Sequence, residues 1–212
     1  YESRGLKDIT VLAWAGDGGT VDIGIQALSG AAERGTNFIY VCYDNEAYGN
    51  TGFQRSGSSP FGSKTTTTPT GKREHKKDVP MIMAAHAIPY VATACVSYPL
   101  DFVTKLRKAK EIVGTKYIQI LTPCPPGWRY STEKTIEMGR LAVQTGIWAL
   151  FEIENGQFKL NPPSASLMDK VKRKPIEDYI KEQGRFNQLS PEDVEELKRW
   201  IDESWERYKR LQ

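Results

Sequence analysis

The chain has 212 residues, of which 39% are hydrophobic and 26% are charged. These proportions are typical of a globular protein and exclude a disordered tail, a collagen-like fibre and a coiled coil. Lysine and arginine outnumber aspartate and glutamate only slightly (29 against 26), so the charge gives no reason to expect a nucleic-acid partner.

The first elements predict a strand–helix–strand unit. The apolar run Ile9–Trp14 predicts a strand, and the glycine-rich residues 15–20 predict a loop after it. Apolar residues at helical spacing predict a helix over Asp22–Arg34, and a second apolar run predicts a strand over Phe38–Tyr43. Because both runs are apolar on both faces, the unit indicates a buried parallel sheet and an α/β fold.

Residues 44–78 form a long polar stretch rich in glycine, serine and threonine. A stretch of this length without regular structure indicates either a functional loop or a disordered linker. Tyr48, Phe53 and Phe61 favour the loop, because a solvated linker does not need apolar anchors.

Helices and strands alternate again from residue 79. They are predicted as a helix over Val79–His86, a strand over Tyr90–Val96, a helix over Pro99–Val113, a strand over Tyr117–Leu121, a helix over Glu133–Thr145 and an edge strand over Trp148–Ile153. We therefore predict a mostly parallel open sheet with helices on both faces, in a domain over residues 1–155.

A C-terminal extension with a helical tail is predicted over residues 156–212. It contains a short segment, Pro175–Gln183, and a charged helix from Ser190, its N-cap, to about Arg210. An apolar stripe on this last helix is expected to pack on the body of the chain or on a partner subunit. The stripe consists of Leu197, Ile201, Trp205 and Tyr208.

The cysteines and the absence of targeting signals bear on the compartment. Cys42, Cys95 and Cys124 are odd in number and far apart, which predicts a reducing compartment, the cytoplasm. No apolar run reaches the roughly 20 residues that span a bilayer, and the polar residues 1–10 do not resemble a signal peptide. Because the sequence does not begin with methionine, we expect it to be processed or to be a piece of a longer chain.

The first glycine-rich turn carries the most specific chemistry. A turn such as Gly16–Gly19, between a strand and a helix, binds anions through backbone N–H groups and the helix dipole. It fits neither the dinucleotide fingerprint nor the P-loop. Asp17 would repel a bare diphosphate, so it indicates a bridging cation such as Mg²⁺, which prefers oxygen ligands. Asn45 follows the next parallel strand and would reach the same sheet edge.

The pairing of GDG with a later asparagine across one β-α-β unit matches the thiamine-diphosphate signature. The alternative is a tight turn and an unrelated Asx turn. The similarity extends further: residues 16–71, the segments YVATACVSYPLDF and ILTPCPPGWRY, and the tail after Gly184 resemble the β subunit of the 2-oxoacid:ferredoxin oxidoreductases, of which the pyruvate enzyme is nearest.

This resemblance implies the thiamine-diphosphate-binding fold and its cofactor contacts. Asp17, the Asn45 side chain and the Ala47 carbonyl would be the Mg²⁺ ligands. Gly16, Gly18 and Gly19 would surround the diphosphate, and Tyr48, Gly49 and Asn50 would follow the cofactor toward its thiazolium ring. Asn50 is the predicted catalytic residue, because its amide can hydrogen-bond a substrate or intermediate oxygen; the alternative is a turn-forming residue. The glutamate that activates the cofactor would come from another subunit.

Cys124 lies between two prolines and is, from the residues alone, either a rigidly presented thiol or a buried cysteine. The resemblance implies that it is the fourth thiolate of a 4Fe–4S cluster, shared with an N-terminal Cys-x-x-Cys segment and one later cysteine that are missing from this sequence. Three cysteines cannot supply four thiolates. Cys42 and Cys95, inside apolar strands, are expected in the core.

Two basic features have open interpretations. The run Lys72–Lys77 is predicted to be a solvated face, with contact to acidic ferredoxin or to coenzyme A phosphates as the alternative. Arg55 is predicted to hold a carboxylate or phosphate through its bidentate fork, or to form an interface salt bridge.

The leading functional prediction is an enzyme subunit. It would bind thiamine diphosphate, Mg²⁺ and a 4Fe–4S cluster, and act with other subunits, ferredoxin, coenzyme A and a 2-oxoacid, pyruvate being favoured by resemblance. The alternatives are a non-oxidative thiamine-dependent decarboxylase or synthase subunit and a non-catalytic assembly subunit. No membrane or nucleic-acid partner is expected.

Overall fold

In the computed structural model, which describes residues 2–6 and 9–212, six strands form one sheet. They are β1 (Leu12–Gly16), β2 (Phe38–Asp44), β3 (Tyr90–Cys95), β4 (Thr115–Leu121), β5 (Phe151–Glu154) and β6 (Gln157–Leu160). Their order is β1-β2-β4-β3-β5-β6; the first four are parallel, and β5 and β6 pair antiparallel. The mostly parallel open sheet is thereby confirmed. The prediction for residues 1–10 includes residues 1, 7 and 8, which lie outside the described residues.

Helices cover both faces of this sheet, as predicted. They are α1 (Ile25–Glu33), α2 (Val79–Ala85), α3 (Pro99–Glu111), α4 (Pro125–Trp128), α5 (Thr135–Gln144), α6 (Ile176–Ile180) and α7 (Pro191–Leu211), and a π-helical segment spans Gly18–Ile23. Shorter 3₁₀ turns lie at Glu2–Arg4, Thr132–Lys134, Ser164–Met168, Lys170–Lys172 and Gly184–Phe186. No helix in the described ranges is both long and apolar enough to cross a membrane.

The two faces of the sheet belong to two hydrophobic clusters. Alternate residues of a strand point to opposite faces, so Val91 joins one cluster while Ala92 joins the other. The smaller cluster packs against α3 through Ala109, Phe102 and Leu106. The larger one packs against α1, α2, α5 and α7. Every residue of β3 and β4 is buried, and these strands are mainly apolar, although β4 also buries Thr115, Lys116 and Gln119.

The predicted edge strand is wrong in position, because β5 lies between β3 and β6. Asn155 and Gly156 join β5 to β6 with φ values of 49° and 80°, the left-handed conformations of a tight hairpin turn. An Asn-Gly pair between two short segments that alternate apolar and polar residues is a sequence signal for such a hairpin. The predicted domain boundary at residue 155 falls within this turn, and β6 belongs to the same sheet. The two-domain division stays a prediction.

The outermost strands, β1 and β6, differ in character. Leu12 and Trp14 of β1 are 51% and 52% exposed. In β6, the exposed residues are Gln157 and Lys159, whereas Phe158 and Leu160 face the core.

The terminal helix α7 packs on its own chain, which is the first of the two predicted arrangements. Its start is fixed by a capping box, in which the Ser190 hydroxyl accepts from the Asp193 N–H and the Asp193 carboxylate accepts from the Ser190 N–H. Leu197, Ile201 and Trp205 are each at most 5% exposed. The Trp205 indole N–H donates to the Gly146 carbonyl at 2.8 Å, anchoring the helix to the turn after α5.

Candidate functional site

The glycine-rich segment after β1 is helical, so the predicted loop over residues 15–20 is wrong. Gly16 is the last residue of β1, Asp17 precedes the π-helical segment, and the Thr20 hydroxyl donates back to the Gly16 carbonyl at 2.7 Å. The physical reason is the close packing that glycine permits: a Cβ at Gly18 would lie 2.4 Å from the Tyr48 ring. π-helical turns are rare and often occur at functional sites.

The residues predicted to hold the cofactor meet in one cavity of about 240 Å³ at the carboxyl edge of the sheet. Because β1 and β2 are parallel neighbours, the residues that follow them emerge at the same edge. The cavity is lined by all nine predicted residues, Gly16, Asp17, Gly18, Gly19, Asn45, Ala47, Tyr48, Gly49 and Asn50, together with Tyr43 and Thr51. The structure thus brings these residues together, while their individual roles stay predictions. Asn50, the predicted catalytic residue, is exposed at the rim.

The three expected Mg²⁺ ligands present a donor set of oxygens. Asp17 is 1% exposed, and its Oδ2 accepts from the Ser56 hydroxyl at 2.5 Å. The Asn45 Oδ1 accepts from the Ala47 N–H at 3.2 Å, so the second and third expected ligands already contact each other. Carboxylate, amide and carbonyl oxygens are the ligand types that Mg²⁺ prefers. The residues present therefore fit this ion.

The electrostatics of Asp17 also suit a cation. Burial, followed by the nearby Asp44 carboxylate, raises the pKa of Asp17 well above its ordinary value. The charged form of this carboxylate is thus disfavoured by the protein alone. A divalent cation beside it would offset that effect by attraction.

An acidic residue that sequence reasoning left without a role lies directly behind the expected ligands. Asp44 is fully buried, and its carboxylate accepts from the Glu46 N–H at 2.8 Å and from the Gln119 amide at 2.6 Å. Asp44 therefore fixes the start of the turn that carries Asn45. The sequence signal for this role was a charged residue at the end of an otherwise apolar strand.

The polar segment of residues 44–78 is an ordered loop wrapped around this turn, so the linker alternative is wrong. Ser59 donates to the Glu46 carbonyl at 2.6 Å, and the Lys72 ammonium donates to the Ser59 carbonyl at 2.7 Å. Lys72 is 2% exposed, which contradicts a solvated face at this position, and burial lowers its pKa to about 8. The Phe61 ring stacks on His75, which in turn stacks on Trp200 of α7. Apolar anchoring and internal hydrogen bonds together order the loop.

Arg55, predicted to hold an anion or a salt bridge, pairs with Glu74 at 3.5 Å on an exposed surface. A pair of this kind contributes little to stability. Arg55 does not line the cavity that contains Asp17 and Asn45.

Cys124 is half-buried at the end of β4, where it precedes the short helix α4. Within that helix the Trp128 indole N–H donates to the Asn45 carbonyl at 2.9 Å, so one helical turn joins the cysteine segment to the expected Mg²⁺ ligands. Cys42 and Cys95 are fully buried, which confirms their core position. Among the described residues, no group of three histidine, cysteine, aspartate or glutamate side chains could hold a metal.

We expect one rapidly reacting thiol when the chain is purified without a cluster. Burial raises the pKa of Cys42 well above its ordinary value and that of Cys95 to about 11, so both remain unreactive thiols, whereas Cys124 is half-buried only. Titration with a chromogenic disulfide under native conditions would measure this. Cys124→Ser should remove the fast phase, and a second fast thiol would contradict the assignment.

Comparisons with known proteins identify the family to which the chain is similar. The family model "Thiamine pyrophosphate enzyme, C-terminal TPP binding domain" matches residues 4–120. The chain is 55% identical to ketoisovalerate oxidoreductase subunit VorB of Pyrococcus horikoshii, over all of this chain and 68% of the relative. It is 56% identical to pyruvate synthase subunit PorB of Methanocaldococcus jannaschii, over 93% of this chain and 66% of the relative.

A solved structure is also similar to this chain. The 2-oxoglutarate:ferredoxin oxidoreductase from Magnetococcus marinus, with 2-oxoglutarate, coenzyme A and succinyl-CoA bound, matches with a TM-score of 0.55 at 26% identity. The match covers 66% of this chain and 55% of that one. The chain therefore spans about half of the solved relative and about two thirds of the curated ones.

Proposed function

Because the chain belongs to the thiamine-pyrophosphate-binding β subunits of the 2-oxoacid:ferredoxin oxidoreductases, we propose that it forms the thiamine-diphosphate half-site of such an enzyme. The complex would oxidatively decarboxylate pyruvate or a related 2-oxoacid in the cytoplasm. The reaction would release carbon dioxide, transfer the acyl group to coenzyme A and deliver two electrons to ferredoxin; 4Fe–4S clusters would supply the one-electron chemistry. Other subunits complete the site and supply the activating glutamate.

The observation that carries this proposal is the single cavity in which Asp17, Asn45 and Ala47 meet the glycines of the π-helical segment. Thiamine diphosphate supplies the nucleophilic carbon and the electron sink when it is bound. Asp17, the Asn45 amide and the Ala47 carbonyl would hold its Mg²⁺. Gly19 has no side chain and nothing packs where one would lie, so the diphosphate can approach its backbone.

Two further residues would orient the organic part of the cofactor and the substrate. The Tyr48 hydroxyl donates to the Gly18 carbonyl at 3.0 Å, and this bond holds the Tyr48 ring against the start of the π-helical segment. Asn50, exposed at the rim of the cavity, would hydrogen-bond an oxygen at the reacting carbon.

Cys124 would supply one thiolate to a 4Fe–4S cluster, with three thiolates from outside this chain. This proposal is supported by the position of Cys124, which is half-buried on the segment that Trp128 links to Asn45. A cluster there would lie beside the cofactor site.

The test is cofactor and activity analysis of the purified complex that contains this chain. We expect bound thiamine, iron and labile sulfide, with ferredoxin reduction that requires a 2-oxoacid and coenzyme A; comparing pyruvate, 2-oxoisovalerate and 2-oxoglutarate identifies the substrate. Thiamine without iron would favour a non-oxidative decarboxylase. The absence of both thiamine and iron would favour an assembly subunit.

We expect Cys124→Ala to lower the iron content of that complex and the EPR signal of one cluster, because one of four ligands is lost. Cys95→Ala is the matched control, since this cysteine is buried in the core and is not an expected ligand. Equal iron content in the Cys124→Ala and wild-type complexes would contradict the ligand role.

A further inference from the structure

The turn that carries two expected Mg²⁺ ligands depends on an unusual backbone conformation. Glu46 lies between Asn45 and Ala47 and has a φ of 63°, in the left-handed region that side-chain-bearing residues avoid. This conformation directs both neighbours to one cavity. A strained residue persists only where its surroundings over-determine it.

The surroundings of Glu46 hold its backbone by hydrogen bonds and pair its carboxylate with two cations, although its Oε2 has no hydrogen-bond partner among the described residues. Its N–H donates to the Asp44 carboxylate, and its carbonyl accepts from Ser59. Its carboxylate, 3% exposed, forms an ion pair of 2.7 Å with the guanidinium of Arg185. Lys76 is a second cation, at 3.3 Å.

Arg185 lies in the C-terminal extension and is itself only 1% exposed. Its Nε donates to the Gln183 amide oxygen at 2.8 Å, and its Nη2, the nitrogen that pairs with Glu46, donates to the Tyr179 hydroxyl at 3.0 Å. The guanidinium carbon lies 3.8 Å from the ring centroid of Trp128, the residue whose indole N–H holds the Asn45 carbonyl. Arg185 thus supports Glu46 directly and Asn45 through Trp128.

The balance of charge makes Arg185 hard to replace. The groups that face Glu46 are the cations Arg185 and Lys76 and the buried carboxylates Asp44 and Asp17. Without Arg185, the Glu46 carboxylate would stay buried near the carboxyl groups of Asp44 and Asp17, with Lys76 as its remaining cation partner. Breaking a buried ion pair on one side is strongly unfavourable, so Glu46 would turn toward solvent and give up its left-handed backbone.

We propose that Arg185 is a positioning residue for the Mg²⁺ site: through Glu46 and Trp128 it holds residues 45–47 in the conformation that presents the Asn45 amide and the Ala47 carbonyl to the ion. This inference rests on the proposed function. Outer partners of metal ligands typically change metal affinity by about 10- to 100-fold when they are mutated.

The experiment measures Mg²⁺ affinity by titration calorimetry on the purified complex, stripped of metal and saturated with thiamine diphosphate. We expect Arg185→Met to weaken Mg²⁺ binding by about tenfold or more, and Arg185→Lys to be intermediate, because it keeps the charge but loses the planar fork. Arg199→Met, at a 70% exposed arginine side chain of α7, should bind like the wild type.

A double substitution separates positioning from general support. Glycine adopts a φ of 63° without strain and needs no ion pair, so Glu46→Gly combined with Arg185→Met should restore most of the affinity lost in Arg185→Met alone. Wild-type affinity in Arg185→Met, or no recovery in the double variant, would overturn the inference. If Arg185→Met does not fold, Arg185→Lys alone and Arg185→Lys combined with Glu46→Gly provide the same comparison. A wild-type complex that binds no Mg²⁺ with thiamine diphosphate would instead overturn the proposed function itself.

Discussion

Asp17→Asn is expected to weaken Mg²⁺-dependent thiamine-diphosphate binding by more than about 100-fold, because the loss of a charged ligand should exceed the roughly 10- to 100-fold effect of losing an outer partner of a ligand. Asp17 is the one carboxylate among the three expected ligands. Asparagine has nearly the same shape, and its amide oxygen can accept from the Ser56 hydroxyl as Oδ2 of Asp17 does, so the substitution removes charge and little else.

The same variant has a second, opposite readout in the absence of metal. The pKa of Asp17 is raised from an ordinary 3.8 by burial, so above that pH the folded chain retains a proton that the unfolded chain has lost. The free energy of unfolding of the metal-free chain therefore falls as pH rises above 3.8 toward the raised pKa. Asp17→Asn should remove the part of this fall that Asp17 contributes and leave the metal-free chain at least as stable as the wild type near neutral pH. Asp44, whose pKa burial raises to about 6, keeps its own part of the fall.

Calorimetric titration and denaturant unfolding between pH 4 and 8 measure the two effects. Asp178→Asn is the control, because its exposed carboxylate in α6 lies outside the cavity. Cofactor affinity equal to that of the wild type in Asp17→Asn would refute the role of this carboxylate.

Trp205→Ala is expected to lower the free energy of unfolding by about 3–5 kcal/mol, as large-to-small substitutions of buried aromatics do. The side chain is 2% exposed, and the Arg173 guanidinium lies 4.5 Å from its ring centroid. Its indole N–H donates to Gly146, so the variant also leaves that carbonyl without its partner.

Denaturant unfolding of the full chain tests this value, and Trp205→Phe separates its two parts. Phenylalanine keeps most of the apolar contact and loses the hydrogen bond, so it should cost about 1–3 kcal/mol. A loss below about 1 kcal/mol for Trp205→Ala would show that α7 contributes little to the stability of the fold.

The features that sequence reasoning predicted correctly have local causes. The strand that ends before Asn45 is a continuous apolar run, and α7 begins at an N-cap serine followed by proline, so neighbouring residues decide both. The approach of Asp17 and Asn45 was also predictable, because parallel neighbours in a sheet bring their carboxyl ends together.

The features that were missed depend on distant partners or on rare backbone geometry. A glycine-rich segment is typical of a loop, and only the packing of Tyr48 against Gly18 shows why it forms a π-helical turn. Buried Lys72 and Arg185 resemble surface cations in the sequence, because their carbonyl and carboxylate partners lie far along the chain. A charged residue can be buried when such partners satisfy it, and composition does not reveal the pairing.

The unequal edges of the sheet have a consequence for handling the chain in isolation. The short outer strand β6 presents Lys159 and Gln157, a charged and a polar residue, and such residues protect an edge from adding strands of other molecules. The opposite strand β1 presents Leu12 and Trp14 half exposed and has no comparable charge in its five residues. Aggregation of the separated chain at high concentration would therefore begin at β1, and a lysine in place of Leu12 is the change that would oppose it.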